Sequence, residues 1–130
     1  MILFTGSRAV GQMISKYAAG ETHKFVATEM GGKNATIVCA DADMDLAVNA
    51  GILGAFKTSG QRCVTSGRLI IDKSIIDEYT ERFVEKAKRI TVGDGLHDNV
   101  FMGPLINGKG LEKWQMHNAC LLYTSDAADE

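Results

Sequence analysis

The sequence predicts an α/β fold, in which short apolar strands alternate along the chain with amphipathic helices. Two observations support this class. Apolar and β-branched runs that are typical of strands are separated by segments in which apolar residues recur at helical spacing. The 130-residue chain is also 45% hydrophobic and 23% charged, a composition typical of a soluble globular domain.

The chain begins with a predicted strand, a tight turn and a helix. Residues 2–4 are apolar, Thr5-Gly6-Ser7 forms the turn, and Ser7 is expected to cap a helix that ends at Gly20. The first N–H groups of such a helix are unpaired and can bind a phosphate. The signal is weak by itself, because strand-to-helix turns also serve as plain connections. The apolar face of this helix comprises Val10, Met13, Ile14, Tyr17 and Ala18.

A second strand is predicted at residues 23–28, with Glu29 at its end and Gly31-Gly32 breaking it. Ligands bind at the carboxyl ends of strands in open α/β sheets, so Glu29 is a candidate functional residue. A lone glutamate is nevertheless more often a solvated surface residue. Residues 35–39 form a third predicted strand, in which we expect Cys39 to be a small buried hydrophobe.

The next predicted helix is capped by Asp41 or Asp43 and runs to Lys57. Gly51 and Gly54 lie inside it, and each weakens a helix by about 1 kcal/mol relative to alanine. We therefore expect a neighbouring element to pack closely against them. Helical spacing is held by Leu46, Ala47, Ala50, Leu53 and Phe56.

The remainder of the chain contains a strand, a helix, a loop and a possible second helix. Residues 58–60 end the preceding helix, residues 69–71 form a short buried strand, and Ser74 is expected to cap the helix that follows. A loop is predicted at 93–99 and a possible helix at 107–117. The predicted buried face of the helix after Ser74 comprises Ile76, Tyr79, Phe83, Ala87 and Ile90.

The stretch from Gly60 to Arg68 sets Cys63 in a small, polar turn flanked by glycines. An isolated cysteine is more often an incidental thiol than a nucleophile. The flanking residues favour the nucleophile, because Gly60 lets the backbone approach a ligand and Arg62 supplies positive charge. A cysteine just past a helix terminus can also direct its own backbone N–H at the carbon that its sulfur attacks.

The best candidate for a general base near this turn is a carboxylate. A cysteine hydrolase normally requires a histidine, but His23, His97 and His117 lie in no recognisable motif and are expected at the surface. Glu29 is the better candidate. We expect partial burial to raise its pKa towards neutral, so that it acts on water in place of the thiol.

Composition also bears on several function classes. The odd number and wide spacing of Cys39, Cys63 and Cys120 indicate neither a disulfide framework nor a metal site. A net charge of −2 without a basic stripe argues against a nucleic-acid partner. The apolar runs are far shorter than a membrane span and the start lacks a signal-peptide layout, so we expect no membrane partner and a cytoplasmic location.

Six short motifs occur in an order and spacing that resemble the aldehyde dehydrogenase superfamily, from about Ile2 to Ile106. The most specific pair is Glu29-Met-Gly-Gly-Lys-Asn34 and Gly60-Gln-Arg-Cys63. Met30 replaces the leucine that is common after the glutamate, a volume-conserving change that we expect to be tolerated. The other motifs are Phe4-Thr-Gly-Ser7, Val10-Gly11, Ala42-Asp-Met-Asp45 and Gly103-Pro-Leu-Ile106.

The resemblance implies an NAD(P)-dependent enzyme (EC 1.2.1.-) that oxidises an aldehyde to a carboxylic acid. Cys63 matches the nucleophile, which forms a thiohemiacetal and, after hydride transfer to the nicotinamide, a thioester. Glu29 matches the base that activates water to hydrolyse this thioester. Gly6 and Ser7 match the turn that receives the cofactor pyrophosphate, and Gly31 matches a position near the nicotinamide.

Members of this family are several times longer, so the resemblance also implies a central fragment. Residues 1–30 match the end of a Rossmann-like NAD(P)-binding domain, and residues 31–119 match the N-terminal part of an α/β catalytic domain. Residues 120–130 resemble the translation of a sequencing-library transposon adapter, and we expect them to be a non-native tail. The parent enzyme is expected to be a homo-oligomer, either a dimer or a tetramer.

Two alternatives remain beside this interpretation. The 130-residue chain alone could be a non-catalytic fragment that folds poorly, and we expect it to be inactive in isolation. The parent could instead be related to the CoA-acylating semialdehyde dehydrogenases, which resolve the thioester with CoA. Those relatives typically lack the carboxylate that Glu29 provides, so this residue favours the hydrolytic enzyme.

Overall fold

The computed structural model describes residues 1–126, with side chains as far as Cys120. Residues 127–130 of the expected non-native tail therefore lie outside the described residues. The chain forms two compact units, Met1–Arg89 and Ile90–Glu130. Strands and helices alternate as predicted, which confirms the α/β class. The first unit contains β1 (Ile2–Gly6), α1 (Arg8–Ala18), β2 (Val26–Met30), β3 (Asn34–Val38), α2 (Met44–Phe56), β4 (Ser66–Ile71) and α3 (Ile76–Lys88).

The first three elements form a strand–helix–strand unit in which β1 and β2 are parallel, with Thr5 opposite Glu29. Ser7 caps α1 as predicted, since its Oγ accepts a hydrogen bond from the N–H of Val10 at 3.4 Å. The second strand begins later than predicted and includes Glu29. The reason is a turn in which the N–H of Lys24 donates to the carbonyl of Glu21 at 2.9 Å.

Helix α1 packs on β2 through a glycine. A Cβ on Gly11 would lie 2.5 Å from Sδ of Met30 and 3.5 Å from the ring of Phe4. Gly11 is accordingly buried. The methionine that follows Glu29 thus fills the space that this glycine leaves.

The second part of the same unit is built on the parallel pair β3 and β4. Of the two predicted caps, Asp43 is the one used, because its Oδ1 accepts from the N–H of Leu46 at 2.9 Å. Close packing at the two helix glycines is confirmed. A Cβ on Gly51 would overlap Oη of Tyr79, and one on Gly54 would lie 2.6 Å from Oγ of Ser66.

Two predictions in this part were wrong. Ser74 does not cap α3, because its N–H and hydroxyl both donate to Oδ1 of Asp72, at 2.9 and 2.7 Å. The helix begins two residues later without a side-chain cap. Cys39 is exposed and is not a core residue, because β3 ends at Val38 and Cys39 lies in the following turn.

The core of the first unit lies between α2, α3 and the β3–β4 sheet. Tyr79 is 1% exposed, and it stacks on Phe83, with 5.9 Å between ring centroids. Phe83 and Ala87 of the predicted α3 face are only partly buried, as is Ile90 at the start of the second unit, whereas Ile76 is exposed. The buried apolar residues of the described chain are Ala18, Val38, Val48, Ile52 and Tyr79.

The second unit contains an isolated parallel bridge between Val92 and Met102, followed by helix α4 (Gly108–Asp126). The predicted loop at 93–99 lies inside the connection between the two bridge residues. Helix α4 begins one residue later than predicted and extends beyond His117. Within residues 1–126, no helix is both long enough and apolar enough to cross a membrane.

Candidate active site

The cysteine turn follows α2 through a short 3-10 helix, Lys57–Gly60. Helix α2 ends here as predicted, because Thr58, Ser59 and Gly60 adopt positive φ angles of 57°, 55° and 66°. Gly60 suits this conformation, and a Cβ on it would lie 3.0 Å from the carbonyl of Ala55. A β-branched threonine at positive φ is strained, so the backbone just before Cys63 is held by its surroundings.

The backbone of Cys63 contacts the segment that leads into β3. Nδ2 of Asn34 donates to the carbonyl of Cys63 at 2.6 Å and to the carbonyl of Thr65 at 3.2 Å. A Cβ on Gly32 would lie 2.9 Å from the same Cys63 oxygen. The structure therefore brings together the two motifs that the sequence singles out, the segment from Glu29 to Asn34 and the turn from Gly60 to Cys63.

Two further contacts join the same segment to the start of β4. Nη2 of Arg68 donates to the carbonyl of Lys33 at 2.9 Å. The Lys33 side chain lies over the backbone of Gly67, where a Cβ would be 2.6 Å from its Cδ. A Cβ at position 67 would therefore displace the lysine side chain from the strand.

The guanidinium of Arg62 turns back towards helix α2. Its Nη2 donates to the carbonyl of Leu53 at 3.2 Å, in the last turn of that helix. The C-terminal end of a helix carries partial negative charge, which a cation stabilises. Arg62 was expected to supply positive charge to the cysteine turn. In the structure its guanidinium is instead directed at the C-terminal end of α2. Its Nε is buried without a hydrogen-bond partner in the described part of the chain.

Both candidate catalytic side chains are exposed. For Cys63 this leaves the sulfur accessible to a substrate. For Glu29 it differs from the expected partial burial, because β2 belongs to a sheet of only two strands. Glu29 lies near the end of β2. Gly32, three residues further along the chain, lies against the carbonyl of Cys63.

The three predicted cofactor residues lie at two places in the first unit. Ser7 caps the exposed N-terminus of α1. Gly6 precedes it, and a Cβ there would lie 2.7 Å from the ring of Phe4, so a side chain at this position would have to displace that ring. Gly31 directly follows β2 and precedes Gly32, which contacts Cys63. A Cβ on Gly31 would meet no atom within 4 Å.

The three histidines take no part in the contact between Gly32, Asn34 and the cysteine turn. All three histidines are exposed, as expected. Nδ1 of His117 lies 2.7 Å from the carbonyl of Lys113 in α4, and His23 lies 3.6 Å from Glu21. Among the described residues, no three histidine, cysteine or acidic side chains are grouped so that they could hold a metal ion.

The sequence did not reveal the roles of Asn34 and Thr65 in holding the cysteine turn. Asn34 closes the glutamate motif, but its partner Cys63 is 29 positions away. The only local signal was a polar residue at the first position of a strand. That signal cannot identify a partner, because the pairing depends on the register between β3 and β4.

Comparison with known proteins places this geometry in a family. A model described as the aldehyde dehydrogenase family matches residues 1–119. The α-ketoglutaric semialdehyde dehydrogenase of Bacillus subtilis is 39% identical over 129 residues, which cover 99% of this chain and 25% of that protein. A probable succinate-semialdehyde dehydrogenase [NADP(+)] of Sinorhizobium fredii is 38% identical over 116 residues, covering 89% and 23%.

A solved structure agrees with these relatives. Betaine aldehyde dehydrogenase from Staphylococcus aureus, in complex with NAD+, superimposes with a TM-score of 0.77 at 34% identity, covering 82% of this chain and 21% of that chain. This chain thus spans about a quarter of the length of the proteins it resembles. On the family match and these likenesses, the chain belongs to the aldehyde dehydrogenase family.

Proposed function

We propose that this chain is the central part of a longer enzyme that oxidises an aldehyde to a carboxylic acid with NAD or NADP. The observation that carries the proposal is the contact between the strand end that follows Glu29 and the turn that holds Cys63. Two residue types with complementary chemistry, a thiol and a carboxylate, lie on the two segments that meet there.

In this reaction Cys63 is the nucleophile. Its sulfur bonds to the aldehyde carbon while the carbonyl oxygen takes up the electron pair and then a proton, which gives a thiohemiacetal. Loss of the carbon-bound hydrogen as hydride and of the hydroxyl proton then re-forms the carbonyl and leaves a thioester on Cys63. A bound nicotinamide dinucleotide would supply the hydride acceptor. The exposure of the thiol supports this role, because the substrate must reach the sulfur.

Glu29 completes the reaction by activating water. It removes a proton from water as the water oxygen bonds to the acyl carbon, after which the C–S bond breaks and Cys63 is regenerated. The carboxylate lies three residues before Gly32, which contacts the Cys63 carbonyl. Its presence favours hydrolysis of the thioester over transfer to CoA, and argues against the CoA-acylating alternative.

The residues at the start of α1 fit the pyrophosphate of a dinucleotide. The exposed N-terminus of the helix presents backbone N–H groups, and Ser7 holds it in place. Gly6, the residue before this cap, places no side chain beside the helix N-terminus. The open space at Gly31 suits a position near the nicotinamide. The Sinorhizobium relative is named for NADP+ and the Staphylococcus structure contains NAD+, so either cofactor fits the proposal.

A second candidate concerns the chain in isolation, which we propose is non-catalytic by itself. Each sheet of the first unit has only two strands, and such sheets are marginal without further packing. Large apolar side chains face solvent on both sheets, with Leu3 69% and Ile37 70% exposed.

Three expectations about the parent enzyme stay predictions. They are its homo-oligomeric state, its cytoplasmic location and the domain division at residue 30.

A chimeric enzyme tests the proposed function without requiring the isolated chain to be active. Residues 1–119 replace the matched segment of the Bacillus subtilis relative, which supplies the remaining three quarters of the protein. We expect aldehyde-dependent formation of reduced nicotinamide, and its loss in the chimera with Cys63→Ser. A matched Cys39→Ser chimera, changed at the other exposed thiol of the first unit, should stay active. Turnover that survives Cys63→Ser would contradict the proposal.

A further inference from the structure

The carboxamide of Asn34 spans two carbonyl groups of the cysteine turn. Nδ2 donates to the oxygen of Cys63 at 2.6 Å and to that of Thr65 at 3.2 Å. An amide nitrogen carries two hydrogens, so one side chain can serve both acceptors at once. The contact holds the peptide plane that follows Cys63, since a carbonyl and the next N–H lie in one plane.

The peptide plane before Cys63 is held as well. The N–H of Thr65 donates to the carbonyl of Arg62 at 3.1 Å, and the N–H of Arg62 donates to Oγ1 of Thr65 at 3.2 Å. The Arg62 carbonyl shares its plane with the N–H of Cys63. Only φ and ψ of Cys63 lie between the two planes, so holding both planes sets the direction of its Cα–Cβ bond.

We propose that Asn34 is a positioning residue for the thiol. With Thr65, it fixes the main chain on both sides of Cys63, so that the Cα–Cβ bond that carries the sulfur and the backbone N–H have a set relative direction before a substrate binds. The proposal rests on the proposed function of Cys63 as nucleophile. It matters for that function because an aldehyde must meet the sulfur at its carbon and the N–H at its oxygen in one geometry.

The test is amide hydrogen exchange in the 130-residue chain, read at the Thr65 N–H, which closes the turn. Asn34→Asp keeps the shape of the side chain but removes both N–H donors at neutral pH. We expect exchange at Thr65 to rise by about fivefold or more, the scale of one or two lost hydrogen bonds. Exchange at Tyr79 in α3 should stay within about twofold.

The pH dependence of exchange separates hydrogen-bond donation by the side chain at position 34 from its packing. At pH about 4, a carboxyl held against two carbonyl oxygens is largely protonated and can donate one hydrogen bond. Relative to wild type at the same pH, the excess exchange in Asn34→Asp should therefore fall as the pH is lowered. Asn34→Ala, which has no group to protonate, should show excess exchange at Thr65 that does not depend on pH.

Asn107→Asp is the matched control. Oδ1 of Asn107 accepts from the N–H of Gly110 at 2.9 Å, so a carboxylate can replace it without losing that bond. Exchange at Thr65 should not change in this variant. If Asn34→Asp also raises amide exchange at Tyr79, that variant has unfolded. Asn34→Ala, which adds no charge, is then the deciding variant.

Exchange at Thr65 that matches wild type in the deciding variant would overturn the proposal. So would a wild-type Thr65 amide that exchanges as fast as an unstructured peptide. The measurement uses neither aldehyde nor nicotinamide. The positioning role can therefore stand where the chimeric enzyme is inactive, and it can fail where that enzyme turns over.

Discussion

Gly32 lies directly against the main chain of Cys63, where a Cβ on the glycine would be only 2.9 Å from the cysteine carbonyl oxygen. Real Cβ atoms do not approach a backbone oxygen this closely, so either the strand end or the cysteine turn would have to move. The absence of a side chain at this position thus allows the two motifs of the site to touch.

Gly32→Ala should destabilise the first unit by about 1–3 kcal/mol, the usual cost of adding a methyl group where no space exists. The measurement is the free energy of unfolding in urea. Gly31→Ala is a matched control one residue away, because a Cβ there would meet no atom within 4 Å. Equal free energies of unfolding for the two variants would mean that Gly32 is not in close contact with the Cys63 carbonyl.

Gly51→Ala should also lower the free energy of unfolding, although alanine is the better helix former by about 1 kcal/mol. The added Cβ would overlap Oη of Tyr79 and lie 3.1 Å from the Phe83 ring. Because Tyr79 is the most buried residue of the core, it cannot move aside cheaply. We expect a net loss of about 1–3 kcal/mol.

Gly110→Ala is the control for this helix substitution. In α4 the added Cβ would come no closer than 3.7 Å to any atom, so the gain in helix propensity should appear without a clash. Thermal unfolding followed by circular dichroism measures both variants. A stabilising effect of Gly51→Ala would show that α2 and α3 are not packed as described.

Acid should weaken the turn before α3 through Asp72. Hydrogen bonds from the hydroxyl and N–H of Ser74 lower the pKa of the Asp72 carboxyl below its ordinary value. A lowered folded-state pKa means that the stabilising contribution is present above the unfolded-state pKa and is lost as the pH falls through the folded-state value. Ser74→Ala should move the pKa of Asp72 upward.

An NMR titration of the Asp72 side-chain carbon measures this change. The titration is compared between wild type and Ser74→Ala under identical conditions. If the midpoint for Asp72 is the same in wild type and Ser74→Ala, the hydrogen bond from the Ser74 hydroxyl does not form in solution.

Alkali should destabilise the first unit through Tyr79. Burial raises the pKa of its hydroxyl above 10.0, because the phenolate cannot be solvated in the core. With a folded-state pKa above the unfolded one, the contribution is complete below the unfolded pKa and is lost as the pH rises through the folded value. Tyr79→Phe should remove this part of the pH dependence, as urea unfolding above pH about 10 would report.

Tyr17 provides the comparison for the same measurement. It is 77% exposed, so Tyr17→Phe removes a phenol hydroxyl without disturbing the core. An identical alkaline profile in wild type and Tyr79→Phe would show that Tyr79 is not the group responsible.

The features that could be predicted from the sequence were those that depend on neighbouring residues. Ser7 and Asp43 each cap the helix that follows them within three residues, and both were recognised from type and position. Ser74 shows the limit of this reasoning. It has the right type and position for a cap, but Asp72 lies close enough to accept both of its donors.

The features that could not be predicted depend on which strands pair. The motif pair of Glu29 and Cys63 is recognisable as chemistry, but the contact between their segments follows from the β3–β4 register. The burial of Glu29 and Cys39 was also misjudged. Burial depends on the elements that cover a strand, and each sheet described in this chain has only two strands.

In the proposed reaction Cys63 and Glu29 act in sequence on one substrate, first as nucleophile and then as base. The most direct measurement mixes the chimeric enzyme carrying Glu29→Gln rapidly with NAD and excess aldehyde, and follows reduced nicotinamide. We predict a burst of one equivalent per active site, because the thioester still forms. Steady turnover should then be slower by about a hundredfold or more, the usual contribution of a general base. Glu21→Gln, at an exposed carboxylate paired with Lys24, should behave as the unchanged chimera. A steady rate that Glu29→Gln leaves unchanged would contradict the account.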